Sequence, residues 1–560
     1  MNYLTKTFRT YFPSSFLVSG LIAALMFLIC LAAVQSASAA TYTVTTTADS
    51  DAGSLRAAIT SANGTLDPDT IEFAIPVGDT GCTSEICTIT LTSGELAVNS
   101  ASTAGSLTIN NATDASNLVI SGNNTSRVFF VNFGANLTIS GLTITKGNGT
   151  STTNAANNGA GGGIFNTGTL TLINSTVSGN TASNIGGGII NGLSSGTLTI
   201  ANSTVSDNTA GGFGGGISTS GMTALTNSTV SGNTASNSGG GIYISNRTTT
   251  LVNSTVSGNT AESGGGIFNG GGTTTLTNST VSGNTASNSG GGIINAFTGT
   301  SPPTLNLTSV TVTQNKSTST TCTNCAGGIR NTGTANLKNT IVAGNTVANA
   351  FSSPDFGGAV AATSSYNLIG NGQGTTGISN ADANSNQVGT PGNSIDPKLA
   401  PLANNGGATQ THALLFGSPA LDKGNSFGLT TDQRGFARPF DNPGITNATG
   451  GDGADIGAFE VQAAPTAATV SIGGRVMTMS GRGIVNVRLT LTDSNGQVRT
   501  TTTTSFGYYR FDDVQAGETY ILSASGKHYA FSQPLQVLNI NDETNEINFI
   551  ANSEKRLRIF

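Results

Sequence analysis

Short apolar runs alternate with Thr, Ser and Asn down the middle of the chain, and Gly or Asn ends each run after a few residues. The same pattern returns almost verbatim: INSTVSGN at 173–180, ANSTVSDN at 201–208, TNSTVSGN at 226–233, VNSTVSGN at 252–259 and TNSTVSGN at 277–284. Looser copies end at Asn315 and Asn345. A glycine triplet plus isoleucine lies between copies, ending at Ile164, Ile189, Ile217, Ile242, Ile267 and Ile293, with a weaker AGGI at Ile329. The spacing of about 25–30 residues is the range of solenoids, propellers and arrays. No helical apolar period runs through it, and runs such as Leu170–Leu172 and Ser175–Val177 predict two or three short strands per repeat. A propeller blade needs roughly 40–50 residues, and a leucine-rich repeat needs a helical segment and a leucine skeleton. A β-solenoid with one coil per repeat remains. It stacks the seven isoleucines in one interior column, and Val177, Val205, Val230, Val256, Val281, Val312 and Val342 in another, each buried only by its neighbours.

The ends of this array look different. SLRAAITSAN (54–63) puts Leu55, Ala58, Ile59 and Ala62 on one helical face, which predicts a capping helix after the strand YTVTTTADS. Degenerate coils follow through residue 148. Residues 1–39 read as a targeting segment: Lys6 and Arg9, an apolar run over 16–34, and the cleavage-like Ala37-Ser38-Ala39. An uncleaved anchor helix is the rival reading. Beyond residue 365 the repeat breaks, 366–460 gathers charge, and 461–469 is a Pro/Ala/Thr linker. Alternating strands with the hairpin signal DSNGQ at 493–497 then predict a small β-sandwich over 470–552, before a basic tail at 553–560.

Composition narrows the function classes. Only 9% of the 560 residues are charged, the net charge is −6 and 36% are apolar, so neither disorder nor a basic nucleic-acid footprint is indicated. Cys82 with Cys87, and Cys322 with Cys325, form two local pairs that suit disulfides in an oxidising compartment. Zinc is disfavoured, because the pairs are far apart and the chain has only two histidines, His412 and His528. Two asparagine columns, one from Asn166 and one from Asn180, predict stacked amide ladders and left-handed turns. The NST triplets match glycosylation sequons, but the repeat itself explains their recurrence. The Gly triplets read as tight corners.

DSDAGSLRAAITSAN followed by DTIEFAIP resembles the N-terminal element of many bacterial β-helix surface proteins, and residues 41–460 resemble right-handed parallel β-helix proteins of the pectin-lyase-like superfamily. Many of these act on polysaccharides. Hydrolysis needs paired carboxylates in one cleft, and a calcium-dependent lyase needs several acidic ligands beside a base. Between 161 and 315 the only charged residues are Asp207, Arg247 and Glu262, in different coils and repeat positions. No catalytic residue, metal or cofactor is therefore expected there.

DPKLAPLANNGG (396–407), THALLFGSPALDKG (411–424), DQRG (432–435) and DIGAFE (455–460) resemble the bacterial choice-of-anchor Q domain, which implies surface attachment. Asp422, Asp432, Arg434, Arg438, Asp455 and Glu460 are expected to form an ion-pair network tying down the final coils, with an acidic metal or catalytic site as the sharper alternative. GGRVMTMSGRGIVNVRLTLTD and TTTTSFGYYRFDDVQAGETYILSASGKHYAF resemble the carboxypeptidase regulatory-like family, a transthyretin-like sandwich with carbohydrate-binding relatives. Tyr508 and Tyr509 are the candidate glycan contacts, at least one of them competing with a core role. The expected architecture is all-β: a capped right-handed parallel β-helix over 40–365 (cap and first coils 40–110, repeats 111–365), end coils over 366–460, and a sandwich. The expected function is an exported, monomeric, non-catalytic surface or extracellular protein. It would adhere to polysaccharide or another cell surface, bind no nucleic acid and keep no membrane span after signal cleavage. A polysaccharide lyase or glycoside hydrolase is the alternative.

Overall fold

The computed structural model describes residues 39–84, 86–99, 104–111, 117–151, 157–192, 196–297, 302–322, 325–349, 354–462, 469–493, 496–516, 518–540 and 542–554. The targeting segment up to residue 38, most of the linker, the tip of the DSNGQ hairpin and the tail beyond 554 lie outside them. The repeat folds as expected into a parallel β-solenoid. One coil runs through Ile164–Asn166, Thr169–Ile173, Thr176–Ser178 and Thr181–Ala182. The next coil pairs with it in parallel, Ile164 beside Ile189, Leu170 beside Leu198, Val177 beside Val205 and Thr181 beside Thr209. One face stacks eleven strands, from Leu96–Val98 to Thr375–Thr376. At about 4.8 Å per strand the stack is on the order of 50 Å long. Both predicted columns are interior, each Ile and Val essentially free of solvent. Each such side chain contributes about 1.5–3 kcal/mol, but only while the coils above and below are in place.

The glycine triplets do more than turn a corner. Only the first glycine of each has positive φ, as at Gly186 (65°) and Gly214 (67°). The second and third allow close approach. A Cβ on Gly187 would lie 2.4 Å from the Gly215 carbonyl, and one on Gly188 would lie 2.9 Å from Asn208 Nδ2. The triplet is therefore packed directly on the asparagine ladder of the SGN corner. In that ladder Asn208 Oδ1 accepts from both the backbone N–H and the side-chain amide of Asn180, each at 3.0 Å. The pattern repeats from Asn208 to Asn233, Asn259, Asn284, Asn315 and Asn345, and ends on the Asp355 carboxylate. The second ladder joins Asn166 to Asn191, and Asn269 through Asn295 to Asn331. The left-handed asparagines of the close repeats belong to neither ladder: they are the Asn of each NST triplet, Asn174, Asn202, Asn227, Asn253 and Asn278, all with φ of 45–51°.

The helix α1 (Leu55–Ala62) is capped by the Ser54 hydroxyl and buries the predicted face of Leu55, Ala58, Ile59 and Ala62 against the first coils. Among the described residues the C-terminal unit has eight strands in two four-stranded sheets, with Leu489, Leu522, Phe511 and Phe549 in its core. It does not float on its linker. Val537, Ile521 and Leu535 pack with Leu399, Leu414 and Leu415, and the Asn539 amide donates to the Asn405 carbonyl (2.8 Å).

Candidate functional site

The charged segment 396–460 lies along the flank of the solenoid and does not simply tie down its last coils. The outward Thr of the STV strand records this. Thr176, Thr204 and Thr229 are partly exposed, whereas Thr255, Thr280 and Thr311 are buried beneath the segment. Gln433 is the central plug. Its Oε1 accepts from the Thr280 hydroxyl (2.6 Å), and its amide donates to the hydroxyl oxygens of Thr255 (2.9 Å) and Thr409 (2.8 Å). The Thr255 hydroxyl donates to the Gln410 carbonyl, and the Thr409 hydroxyl to that of Asn253. His412 donates from Nδ1 to the Ala400 carbonyl and accepts the Ser282 hydroxyl at Nε2, both at 2.7 Å. Burial holds its pKa down at about 4, so it is neutral at physiological pH. Asn278 donates to the Thr431 carbonyl and accepts from Arg438, and Asn339 donates to the Asp455 carbonyl.

The acidic cluster divides its work. Arg434 pairs with Asp432 at 2.7 Å, and Arg438 with Glu460 at 2.7 Å, all four side chains buried. The Arg434 guanidinium also lies 3.6 Å from the centre of the Phe459 ring. Asp455 is engaged by backbone N–H groups, of Asp422 (2.9 Å) and Val461 (2.7 Å). Glu460 accepts from the N–H of Phe440 as well as from Arg438. Asp422 accepts from the N–H of Asn442 (3.2 Å). Burial raises the pKa of Asp455, with the Glu460 charge adding to it, and burial also raises that of Glu460. Asp422 is pushed up to about 6, chiefly by burial. Raised carboxylates can mark a catalytic acid, but such a group must reach substrate, and these are buried between the segment and the coils. Among the described residues, no group of three or more His, Cys, Asp or Glu is placed to hold a metal ion.

The two tyrosines part company. Tyr509 is a core residue, its ring beside Phe511 and Phe549 and its hydroxyl donating to the Ile547 carbonyl (2.6 Å). It is not a glycan contact, because alternation along its strand points it inward. Tyr508 points outward, 55% exposed, with the Arg475 guanidinium 5.2 Å from its ring centre. Cys82 and Cys87 are disulfide-bonded across the antiparallel pair at the start of the solenoid, and Cys322 is bonded to Cys325.

Sequence reasoning missed a buried pair in the degenerate coils. Arg127 binds Glu95 at 2.6 Å, donates to the carbonyls of Gly149, Asn157, Ala160 and Gly161, and lies over the Phe165 ring. The Ser151 hydroxyl donates to the other Glu95 oxygen (2.6 Å). It staples the loop before the first regular coil, and only the rarity of charge there could have flagged it.

No curated protein matches the chain. Among solved structures, the crystal structure of pectate lyase Pel9A is similar over 76% of this chain and 97% of that one, at 16% identity and a TM-score of 0.39. Residues 471–551, which form the sandwich, match the family described as Carboxypeptidase regulatory-like domain. The chain thus carries a carboxypeptidase regulatory-like domain packed against the flank of its parallel β-solenoid.

Proposed function

We propose that this chain is an exported surface rod that adheres to glycans and does not turn them over. The solenoid is its stem, and the sandwich presents the contact. The observation that carries the reading is the use made of the acidic cluster: the buried carboxylates of Asp432, Asp455 and Glu460 hold arginines and backbone amides of segment 396–460 itself, which Arg438, Asp455 and Gln433 then join to Asn278, Asn339 and Thr280 of the stem. Export rests on the character of residues 1–39, and surface retention on the resemblance of 366–460 to an anchor domain. Tyr508 offers one ring face to a sugar while Arg475 lies beside it. The test is a glycan array with the purified protein, alongside assays for reducing and unsaturated sugar release. Binding without release is expected, and Tyr508→Ala should weaken it at least about fivefold, the loss of about 1 kcal/mol of stacking. Sugar release would select the polysaccharide lyase or glycoside hydrolase reading instead.

A further inference from the structure

The two ends of the sandwich differ. Its base meets the flank segment, where the Asn539 amide donates to the Asn405 carbonyl and a Cβ on Gly496 would lie 3.7 Å from the Phe416 ring. At the other end of the strands two turns form a tip. In one the Thr478 N–H donates to the Arg482 carbonyl (2.8 Å), and in the other the Gly507 N–H donates to the Thr504 carbonyl (2.9 Å). The turns are packed backbone on backbone: a Cβ on Gly483 would run into the Phe506 carbonyl, which also accepts from Arg475 Nε (3.0 Å). The loop 526–528 reaches the same end, because Ser525 stands opposite Arg488, and so does the strand Phe549–Glu554, with Ala551 opposite Thr478.

The tip is apolar at its crest and basic at its rim. Met479 is 79% exposed and Phe506 70%, with Val485 beside them half-exposed. Arg482, Arg488 and Lys527 are exposed around this crest, and residues 475–488, 503–511 and 525–534 contain no Asp or Glu. The carboxylates of residues 470–553 fall instead at 493, 512–518 and 542–546, towards the base, where Gln515 stands opposite Thr469 and Ile540 opposite Glu518. The domain is therefore charge-polarised, with a cationic end in a chain of net charge −6. A convex crest of apolar side chains inside a ring of cations does not enclose a sugar. It complements a surface that is anionic at its boundary and apolar a few ångströms deeper, which is a bilayer with acidic headgroups. We propose that the sandwich tip docks on an anionic lipid membrane, inserting Met479 and Phe506 between headgroups whose phosphates Arg482, Arg488 and Lys527 meet. The contact uses the turns and not the Tyr508 ring, so it stands or falls apart from the glycan contact proposed above.

Vesicle co-sedimentation tests it, with a chain that begins at Ala40 so that the apolar run over 16–34 takes no part. The protein is expected to bind vesicles of phosphatidylglycerol and phosphatidylcholine, less tightly as salt screens the cations, and to leave pure phosphatidylcholine nearly untouched. Met479→Ser combined with Phe506→Ser should weaken binding at least about tenfold, and Arg482→Glu at least about fivefold, both at an unchanged melting curve. Met222→Ser, at a residue 57% exposed on the stem, should change nothing. The chain has no tryptophan, so Phe506→Trp supplies a single reporter. Its emission should shift to the blue on vesicles and be quenched by brominated acyl chains. Absence of binding to the anionic vesicles, equal binding by the double variant, or a tryptophan at 506 that stays unquenched overturns the proposal. Retention on an acidic polysaccharide gel without vesicle binding also overturns it and assigns the tip to a charged glycan.

Discussion

Asp355 shows how much a single position can carry. It ends the longest asparagine ladder, its Oδ1 accepting from the N–H and the amide of Asn345, and its Oδ2 from the N–H of Asn371. Burial pushes its pKa up to about 6 despite these donors. A raised carboxyl holds its proton more tightly in the folded state than in the unfolded one. Its stabilising contribution is therefore complete below about pH 4 and lost as pH rises through about 6, a swing of about 2–3 kcal/mol. Asp355→Asn faces a donor toward Asn371 and so lowers stability at every pH. It should nevertheless shrink the difference in melting temperature between pH 4 and pH 7, measured by calorimetry. The glycines give a second contrast. Gly188→Ala drives a Cβ to 2.7 Å from the Gly216 carbonyl, a clash with backbone that no side chain can relieve. Gly258→Ala, at φ 64°, meets nothing closer than 3.9 Å and bears only the left-handed penalty of about 1–2 kcal/mol. Urea titration should find the first variant severely destabilised or unfolded and the second only modestly affected. The sequence marked the triplet glycine as a corner and did not single out Gly258. Their difference depends on what the neighbouring coil places opposite, which a repeat motif does not display.

At the scale of elements, the strands were readable because each coil repeats its own evidence: an Ile or Val that recurs in every copy can only be interior. The capping helix was equally plain, with its four apolar residues on one face. The docking of segment 396–460 was not. Its anchors, Gln433 and His412, contact Thr280 and Ser282 across 153 and 130 residues of chain, and in sequence they are ordinary loop residues. The charges were visible but their partners were not, so ion pairs were expected where Asp455 takes backbone amides. Gln433→Ala leaves the Thr255, Thr280 and Thr409 hydroxyls without their shared partner, each unmade bond costing about 1–3 kcal/mol. Hydrogen exchange should then quicken over residues 405–440, while the coils from 164 to 235, which lie before the segment's hydrogen bonds to Asn253, Thr255 and Thr280, keep their protection.

For the whole molecule, the solenoid, the flank segment and the sandwich form a continuous structure, joined through the apolar cluster of Leu399, Leu414 and Val537. A rod built this way holds its C-terminal domain at a fixed place beside the stem, which suits presentation of a contact surface. On the function proposed above, the buried charges serve this assembly and not a reaction. Glu460→Gln tests it most directly, because Glu460 binds Arg438 and the N–H groups of Phe440 and Asp455 together. Leaving Arg438 buried without its counter-charge should cost about 3–5 kcal/mol. The melting temperature, measured beside sugar release from a polysaccharide panel, should fall by several degrees, with no release by either protein. Release by the native protein that disappears in the variant at an unchanged melting temperature would contradict the account and make Glu460 a catalytic acid.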